Sequence, residues 1–232
     1  MTQDARLVMA HRGASSEEQE NTIAAFELAA TLGADYIELD VRFTADRALV
    51  VHHNPTLDDG RVLREVNEVD LPQWLPSLRA ALGARGSSVI NIEIKNVPGQ
   101  PDFDPTHAIV EPVARMVVDN GLGEHVLVSS FDAGVLSRLA EVEPSIGRAQ
   151  LMLEAMFQPG DLVQVAELGA VAVHPQAVLV DEAFMREANE VGLQVNAWVV
   201  DDPQRQLELY DLGVNAVCTN DPGRLLSLLG RR

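Results

Sequence analysis

The sequence predicts an α/β chain folded as one closed (β/α)8 TIM barrel, a single domain over residues 1–232 with a short extra hairpin strand after strand two. Strand-like and helix-like segments alternate along the chain, and eight such strands suit a length typical of one barrel. No glycine-rich dinucleotide fingerprint appears, which would favour an open doubly wound sheet. At 47% hydrophobic content the chain can bury one large core, and no shift in composition marks a linker.

Arg6 to Ala10 reads as strand one, leading into His11-Arg12-Gly13. Asn21 to Leu32 reads as a helix stopped by Gly33, and strand two, Tyr36 to Phe43, follows. Helix Pro76 to Leu82 precedes strand three, Val89 to Lys95. Helix Pro105 to Asp119 precedes strand four, Val126 to Ser130, and helix Ala133 to Val142 precedes strand five, Arg148 to Leu153. Three more pairs follow: Asp161 to Leu168 with Ala170 to Val173, Asp181 to Val191 with Leu193 to Val200, and Pro203 to Leu212 with Ala216 to Thr219. Helix Gly223 to Leu229 closes the chain. Gly33, Gly169, Gly192 and Gly213 each follow Leu or Val at a helix end, where a left-handed residue stops the helix. The run Ala48 to His53 is surplus to the barrel. The short link Ala45-Asp46-Arg47 folds it back as a hairpin from strand two, which carries a histidine to the barrel mouth.

Strands two and three carry charge where core strands should not. Alternate side chains share a face, so Glu38, Asp40 and Arg42 point together, as do Asn91, Glu93 and Lys95. The opposite faces, Ile37, Leu39, Val41 and Ile90, Ile92, Ile94, call for a covering layer of helices, which aims the carboxylates at a shared interior. Three carboxylates converging without partners are costly, and a bound cation is the usual remedy. Glu38, Asp40 and Glu93 offer hard oxygen ligands suited to Mg2+ or Ca2+. The bland alternative is an internal salt-bridge network with Arg42 and Lys95.

Lys and Arg total 17 against 35 Asp and Glu, a formal charge of −18 that argues against a nucleic-acid groove or an anionic membrane surface as partner. The longest apolar runs are too short to span a bilayer, and Met1 to Ala5 lacks the regions of a secretory signal. The lone Cys218 cannot form an internal disulfide, which suits a cytoplasmic location.

In order along the chain, His11-Arg12-Gly13, Glu20-Asn21-Thr22, Glu38-Leu39-Asp40-Val41, Val51-His52-His53-Asn54-Pro55-Thr56-Leu57, Glu93-Ile94-Lys95, Ser130-Phe131 and Trp198 resemble glycerophosphodiester phosphodiesterases. The match extends to Thr219-Asn220-Asp221-Pro222. The resemblance implies a metal-dependent barrel that hydrolyses glycerophosphodiesters to glycerol 3-phosphate and an alcohol, with a small-molecule substrate, no nucleic acid and no stable membrane association. His11 and His53 are then the candidate acid and base, since imidazole exchanges protons near neutral pH. Arg12 offers a fixed fork of donors for phosphate, or else pairs with a carboxylate, and Lys95 can share the anion. Asn21 is either the cap of the first helix or a site residue. Trp198 either walls the pocket against the substrate's alcohol or fills the barrel. His107, His125 and His174 fit no constellation.

Several positions depart from the family pattern. Asn54 replaces the usual aspartate, Gln19 the usual proline and Val199 the usual threonine, and Asp58-Asp59-Gly60-Arg61 stands where Arg-Thr-Thr is expected. The segment Leu57 to Pro76 is shorter than a capping insertion common among relatives, which predicts an open mouth accepting several small alcohol headgroups. Alignment selects His53 over His52, and strand parity agrees if Leu49 and Val51 share its side. Two alternatives stand beside this reading. One is a lysophospholipase D or sphingomyelinase D-like enzyme, which needs an exposed apolar loop within Leu57 to Leu75. The other is a non-catalytic phosphoester-binding barrel.

Overall fold

The computed structural model describes residues 6–231; the leader reading of Met1 to Ala5 lies outside them. Its nine strands are β1 (Leu7–Ala10), β2 (Tyr36–Phe43), β3 (Leu49–Val51), β4 (Val89–Ile94), β5 (Val126–Ser130), β6 (Gly147–Met152), β7 (Ala172–Pro175), β8 (Gln194–Ala197) and β9 (Ala216–Thr219). All but β3 run parallel in the order β1-β2-β4-β5-β6-β7-β8-β9, and β9 pairs with β1 to close the ring. Strand β3 lies antiparallel on the far end of β2, Val41 opposite Val51 and Phe43 opposite Leu49, which is the expected hairpin.

Helices α1 (Ile23–Leu32), α2 (Leu78–Gly83), α3 (Val110–Asp119), α4 (Ala133–Val142), α5 (Asp161–Glu167), α6 (Glu182–Glu190), α7 (Pro203–Asp211) and α8 (Pro222–Leu228) follow in chain order. Their apolar faces meet the outer faces of the strands. Ile37, Leu39, Val41, Ile90, Ile92 and Ile94 pack there in one core with Phe26 of α1, Leu78 of α2 and Val113 of α3. Each fully buried aliphatic side chain contributes about 1.5–3 kcal/mol. Because β2 and β4 pair in register, Glu38 beside Asn91 and Asp40 beside Glu93, that burial fixes the polar residues on the opposite, inner face.

Several boundaries differ from the sequence expectation. Helix α1 is capped by Thr22, whose hydroxyl accepts from the Ala25 N–H, so Asn21 is not its cap. Helix α3 begins at Val110 instead of Pro105 because the Asp104 carboxylate takes the backbone N–H groups of Thr106 and Ala108, a local turn that competes with the helix. Strand β7 lies two residues later than expected, ending on His174 and Pro175. The segment after His53 folds over a satellite core of Val50, Leu57, Leu63, Val66 and Leu75. Its leucines therefore turn inward, leaving Val69 and Trp74 as its exposed apolar side chains. Among the described residues no helix is long and apolar enough to cross a membrane.

The His11-Arg12-Gly13 turn is the tightest backbone approach near the mouth. Gly13 adopts φ +84°, and a Cβ there would lie 2.6 Å from the Ala25 carbonyl carbon. Gly33 has a similar φ of +89°, but a Cβ would meet nothing within 4 Å. Gly33→Ala is therefore expected to cost about 1–2 kcal/mol of unfolding free energy, the left-handed penalty alone. Gly13→Ala should cost clearly more by denaturant titration, and equal losses would show that the α1 contact does not constrain the turn.

Candidate active site

The chain leaves β1 in two successive left-handed residues, Arg12 at φ 56° and Gly13 at φ 84°, and Asn21 adopts φ 58°. Left-handed geometry at a non-glycine residue costs of order 1 kcal/mol or more and needs support from its surroundings. Here that support is the carboxylate cluster. The Arg12 backbone N–H donates to Glu38 Oε2 at 2.8 Å, and Arg12 Nε lies 3.2 Å from Asp40 Oδ2. Asn21 Nδ2 donates to the same Asp40 oxygen at 2.7 Å, while its Oδ1 accepts from the Asp40 N–H. Asn21 is thus a buried brace of Asp40, the site alternative of the two readings. Arg12 Nη1 donates to both Glu20 carboxylate oxygens at 2.9 Å, so Arg12 both pairs with carboxylates and borders the cavity.

Glu38, Asp40 and Glu93 each bring one oxygen within 4.8 Å of the others, and all three are buried. Lys95 Nζ lies 3.0 Å from Asp40 Oδ1 and 2.5 Å from Glu93 Oε1, whereas Glu38 Oε1 is buried with no hydrogen-bond partner among the described residues. Burial, together with the charges of Asp40 and Glu93, pushes Glu38 well above the usual carboxylate range. Burial likewise raises Glu93 to about 7 despite Lys95 beside it. Asp40 goes the other way: burial would raise it, but Lys95 and Arg12 hold it well below the usual range. The positive charge at hand thus serves one carboxylate fully and leaves two under-compensated. An all-oxygen, over-acidic donor set with an orphaned buried oxygen fits a hard divalent cation.

Arg42, placed by parity beside these carboxylates, does not join them. Its side chain, 1% exposed, donates through Nε and Nη2 to the His53 carbonyl at 3.0 and 2.7 Å, through Nη2 to Gln100 Oε1 at 3.0 Å, and pairs with Asp102. This removes Arg42 from the proposed salt-bridge network and fastens the His53 turn to the loop after β4. The parity condition for His53 fails as well. Leu49 and Val51 pack in the helix-side core, and His53 reaches the cavity because the chain leaves β3 after Val51. His52 turns away from it, with Nε2 3.3 Å from the Thr56 carbonyl oxygen and its ring edge-on to Trp74.

His11 and His53 both line one cavity of about 510 Å³ with Arg12, Glu38, Glu93 and Lys95. Asp201 accepts from Asn220 Nδ2 at 2.7 Å, so Asn220 Oδ1 faces His11 Nδ1 at 2.7 Å and assigns the ring proton to Nδ1. Nε2 of His11 is left as an acceptor. His53 Nδ1 similarly meets Asn54 Oδ1 at 2.9 Å. Burial, with Arg12 adjacent, lowers His11, and burial brings His53 down to about 4 against the pull of Asp40. Both rings are therefore neutral near pH 7.

Trp198 lines the cavity instead of filling the barrel. Its indole N–H donates to the His174 carbonyl at 2.7 Å, and it meets Phe131 edge-on at 5.7 Å. His174, which fits no constellation in the sequence, lines the cavity, 2.9 Å from Asn196 Nδ2, and burial lowers it to about 3. Its position just before Pro175 at the end of β7 was the available signal. His107 instead pairs with Asp132 at 3.0 Å, and His125 ends a short 3-10 turn ahead of β5.

Residues 11–224 match the glycerophosphoryl diester phosphodiesterase family. The chain is 30% identical over 247 residues to a glycerophosphodiester phosphodiesterase of Caldanaerobacter subterraneus subsp. tengcongensis, covering 96% of this chain and 97% of that protein. It is 27% identical to a glycerophosphodiester phosphodiesterase of Bacillus altitudinis, covering 95% and 97%. A phosphodiesterase of Oleispira antarctica, solved in complex with the product sn-glycerol-3-phosphate, superposes with a TM-score of 0.86 at 22% identity over 97% of each chain; at that identity the likeness speaks for the barrel fold. With a family match spanning the carboxylates, His11, His53 and Asn220, the chain belongs to the glycerophosphoryl diester phosphodiesterase family.

Proposed function

We propose that the chain is a metal-dependent phosphodiesterase that hydrolyses glycerophosphodiesters to glycerol 3-phosphate and an alcohol. The observation that carries the proposal is the orphaned Glu38 oxygen among three buried carboxylates, in the one cavity that also receives His11, Arg12, His53 and Lys95. Glu38, Asp40 and Glu93 would hold Mg2+ or Ca2+, which when bound offsets phosphate charge and polarises the phosphorus centre. Arg12 and Lys95 orient the anionic phosphate by charge-assisted hydrogen bonds. One of His11 and His53 takes the proton of the nucleophile at Nε2, while the other, doubly protonated once the anionic phosphate lies beside it, delivers its Nε2 proton to the departing oxygen and returns to the neutral ring. Asn220 and Asn54 keep the two Nε2 atoms available by occupying Nδ1. Trp198 and Phe131 wall the alcohol's side of the cavity and keep water from it. No observation favours the non-catalytic barrel, because both histidines line the cavity. The lipid-loop reading has less to rest on, since the leucines of the 57–75 segment pack inward and leave Val69 and Trp74 as its exposed apolar side chains.

Glu38→Gln keeps the shape of the ligand but removes its charge, so calorimetry should show weakened Mg2+ or Ca2+ binding and glycerophosphocholine turnover should nearly vanish. Full activity of that variant in chelated buffer would refute the metal assignment. Divalent ion at one hundred times its dissociation constant should raise unfolding free energy by about 2.7 kcal/mol over chelated protein. No stabilisation by either ion would count against the site. His53→Ala should lose about two to four orders of magnitude in turnover, the scale of a general acid or base. His52→Ala, checked for equal folding by circular dichroism, should lose far less. The reverse ranking would overturn the choice of His53.

A further inference from the structure

Two backbone positions away from the phosphate chemistry carry a cost that the barrel alone does not explain. His107, just ahead of α3, adopts φ 53°, a left-handed conformation that a residue with a Cβ keeps only when its surroundings hold it there. Gly134 lies in the first turn of α4 without a left-handed φ, where alanine would be the better helix former. Each position accounts for the other. A Cβ on Gly134 would fall 2.5 Å from His107 Cε1 and 2.6 Å from Nε2, so the bare backbone there is the seat of the imidazole ring. From that seat Nε2 meets Asp132 Oδ2 at 3.0 Å, and because a carboxylate oxygen only accepts, the ring proton is assigned to Nε2.

Asp132 joins the loops that follow β4 and β5. Its Oδ1 accepts from the Gly134 N–H at 2.8 Å, and its Oδ2 accepts from Asn96 Nδ2 at 2.8 Å as well as from His107. Asn96 Oδ1 takes the Asp104 N–H at 2.8 Å, which turns its Nδ2 towards Asp132. Phe131, Asp132 and Ala133 line the catalytic cavity, whereas His107 stands behind Asp132, on a separate groove beside α3.

We propose that His107 is a positioning residue for the alcohol portion of the substrate. The proposal rests on the phosphodiesterase reading above, in which Phe131 and Trp198 wall the alcohol's side of the cavity. The Nε2–H of His107 holds Asp132, and Asp132 holds its neighbour Phe131 edge-on to Trp198, so the ring shapes that wall without touching substrate. The phosphorus chemistry does not pass through this pair. Glu38, Asp40 and Glu93 stand on β2 and β4, His11 and His53 follow β1 and β3, and Lys95 keeps its own backbone bond to the Val41 carbonyl at 3.2 Å.

The experiment compares two substrates and two routes to the same lesion. Glycerophosphocholine presents a full headgroup to the wall, whereas the methyl ester of glycerol 3-phosphate offers it a single carbon. His107→Asn keeps a residue that accepts left-handed backbone, but its amide reaches only as far as Nδ1. It should raise KM for glycerophosphocholine about tenfold, with kcat within about threefold and KM for the methyl ester within about twofold of wild type. His107→Gln places an amide N–H near the position of Nε2 and should recover most of the loss. Gly134→Ala unseats the ring from the side of α4 and should reproduce the selective rise in KM, yet add nothing in the His107→Asn background, where the ring is gone. Equal losses on both esters, a fall in kcat alone, no rescue by Gln, or additive effects at 107 and 134 would each overturn the positioning role. Circular dichroism checks each fold; the two substitutions act from different elements, so one misfolded variant leaves the other to decide, and failure of both to fold would show a structural role instead. If wild type hydrolyses neither ester, the phosphodiesterase reading fails. Calorimetric affinities of the two esters for the Mg2+-saturated protein then test the wall alone, and a choline-to-methyl ratio unmoved by His107→Asn would overturn it.

Discussion

The structure depends on how three carboxylates are kept inside one barrel. Register between β2 and β4 puts Asp40 beside Glu93 with Glu38 one pleat below, and burial takes all three out of water. Unpaired buried charge is costly, and close like charges raise the cost further. Everything around the cluster answers that problem. Lys95, the chain's single lysine, contributes a compact charge between Asp40 and Glu93. Arg12 contributes both its guanidinium and its backbone N–H, and the second contribution needs the left-handed turn that Gly13 completes. Asn21 gives Asp40 a donor and an acceptor at once, again from a left-handed residue. Backbone strain is thus concentrated where electrostatics holds it in place.

A second constraint ties the histidine turn to the rest of the barrel. The ladder between β3 and β2 ends on the His52 N–H, which donates to the Asp40 carbonyl at 2.9 Å, and strand hydrogen bonding no longer holds the backbone from His53 onward. Arg42 takes over, with two donors on the His53 carbonyl and others on Gln100 and Asp102. A buried arginine requires such complete pairing, and its planar fork supplies several directed donors that a lysine lacks. The loop that carries Pro98 and Gln100 along the cavity is thereby joined to the turn that carries His53.

Two of the three histidines that line the cavity, His11 and His53, are held at Nδ1 by neutral amides. A carboxylate against Nδ1 would favour the charged ring, whereas Asn220 and Asn54 orient it while leaving burial to keep it neutral. Asn220 owes its orientation to Asp201, whose other oxygen accepts from Thr219 and the Asn220 backbone. The departure to Asn54 therefore preserves the geometry of a ring acceptor while changing its charge.

The sequence by itself determined what depends on short-range periodicity. The two-residue alternation of strands placed Ile37, Leu39 and Val41 outward and Glu38, Asp40 and Arg42 inward, because a buried apolar face allows no slip in register. The same patterning gave the eight parallel strands and the hairpin after strand two. Partner choice is not periodic, and there the tertiary structure decided. Arg42 turned from its neighbours in β2 to Asp102, 60 residues on. His53 entered the cavity although Leu49 and Val51 face the helices, since parity ends where strand pairing ends. Asn21 became a brace because Thr22 caps the helix, and His174 joined the cavity because the end of β7 closes against β8. In each case the deciding group comes from another element or from the end of regular pairing, where the local pattern carries no information about which polar groups will meet.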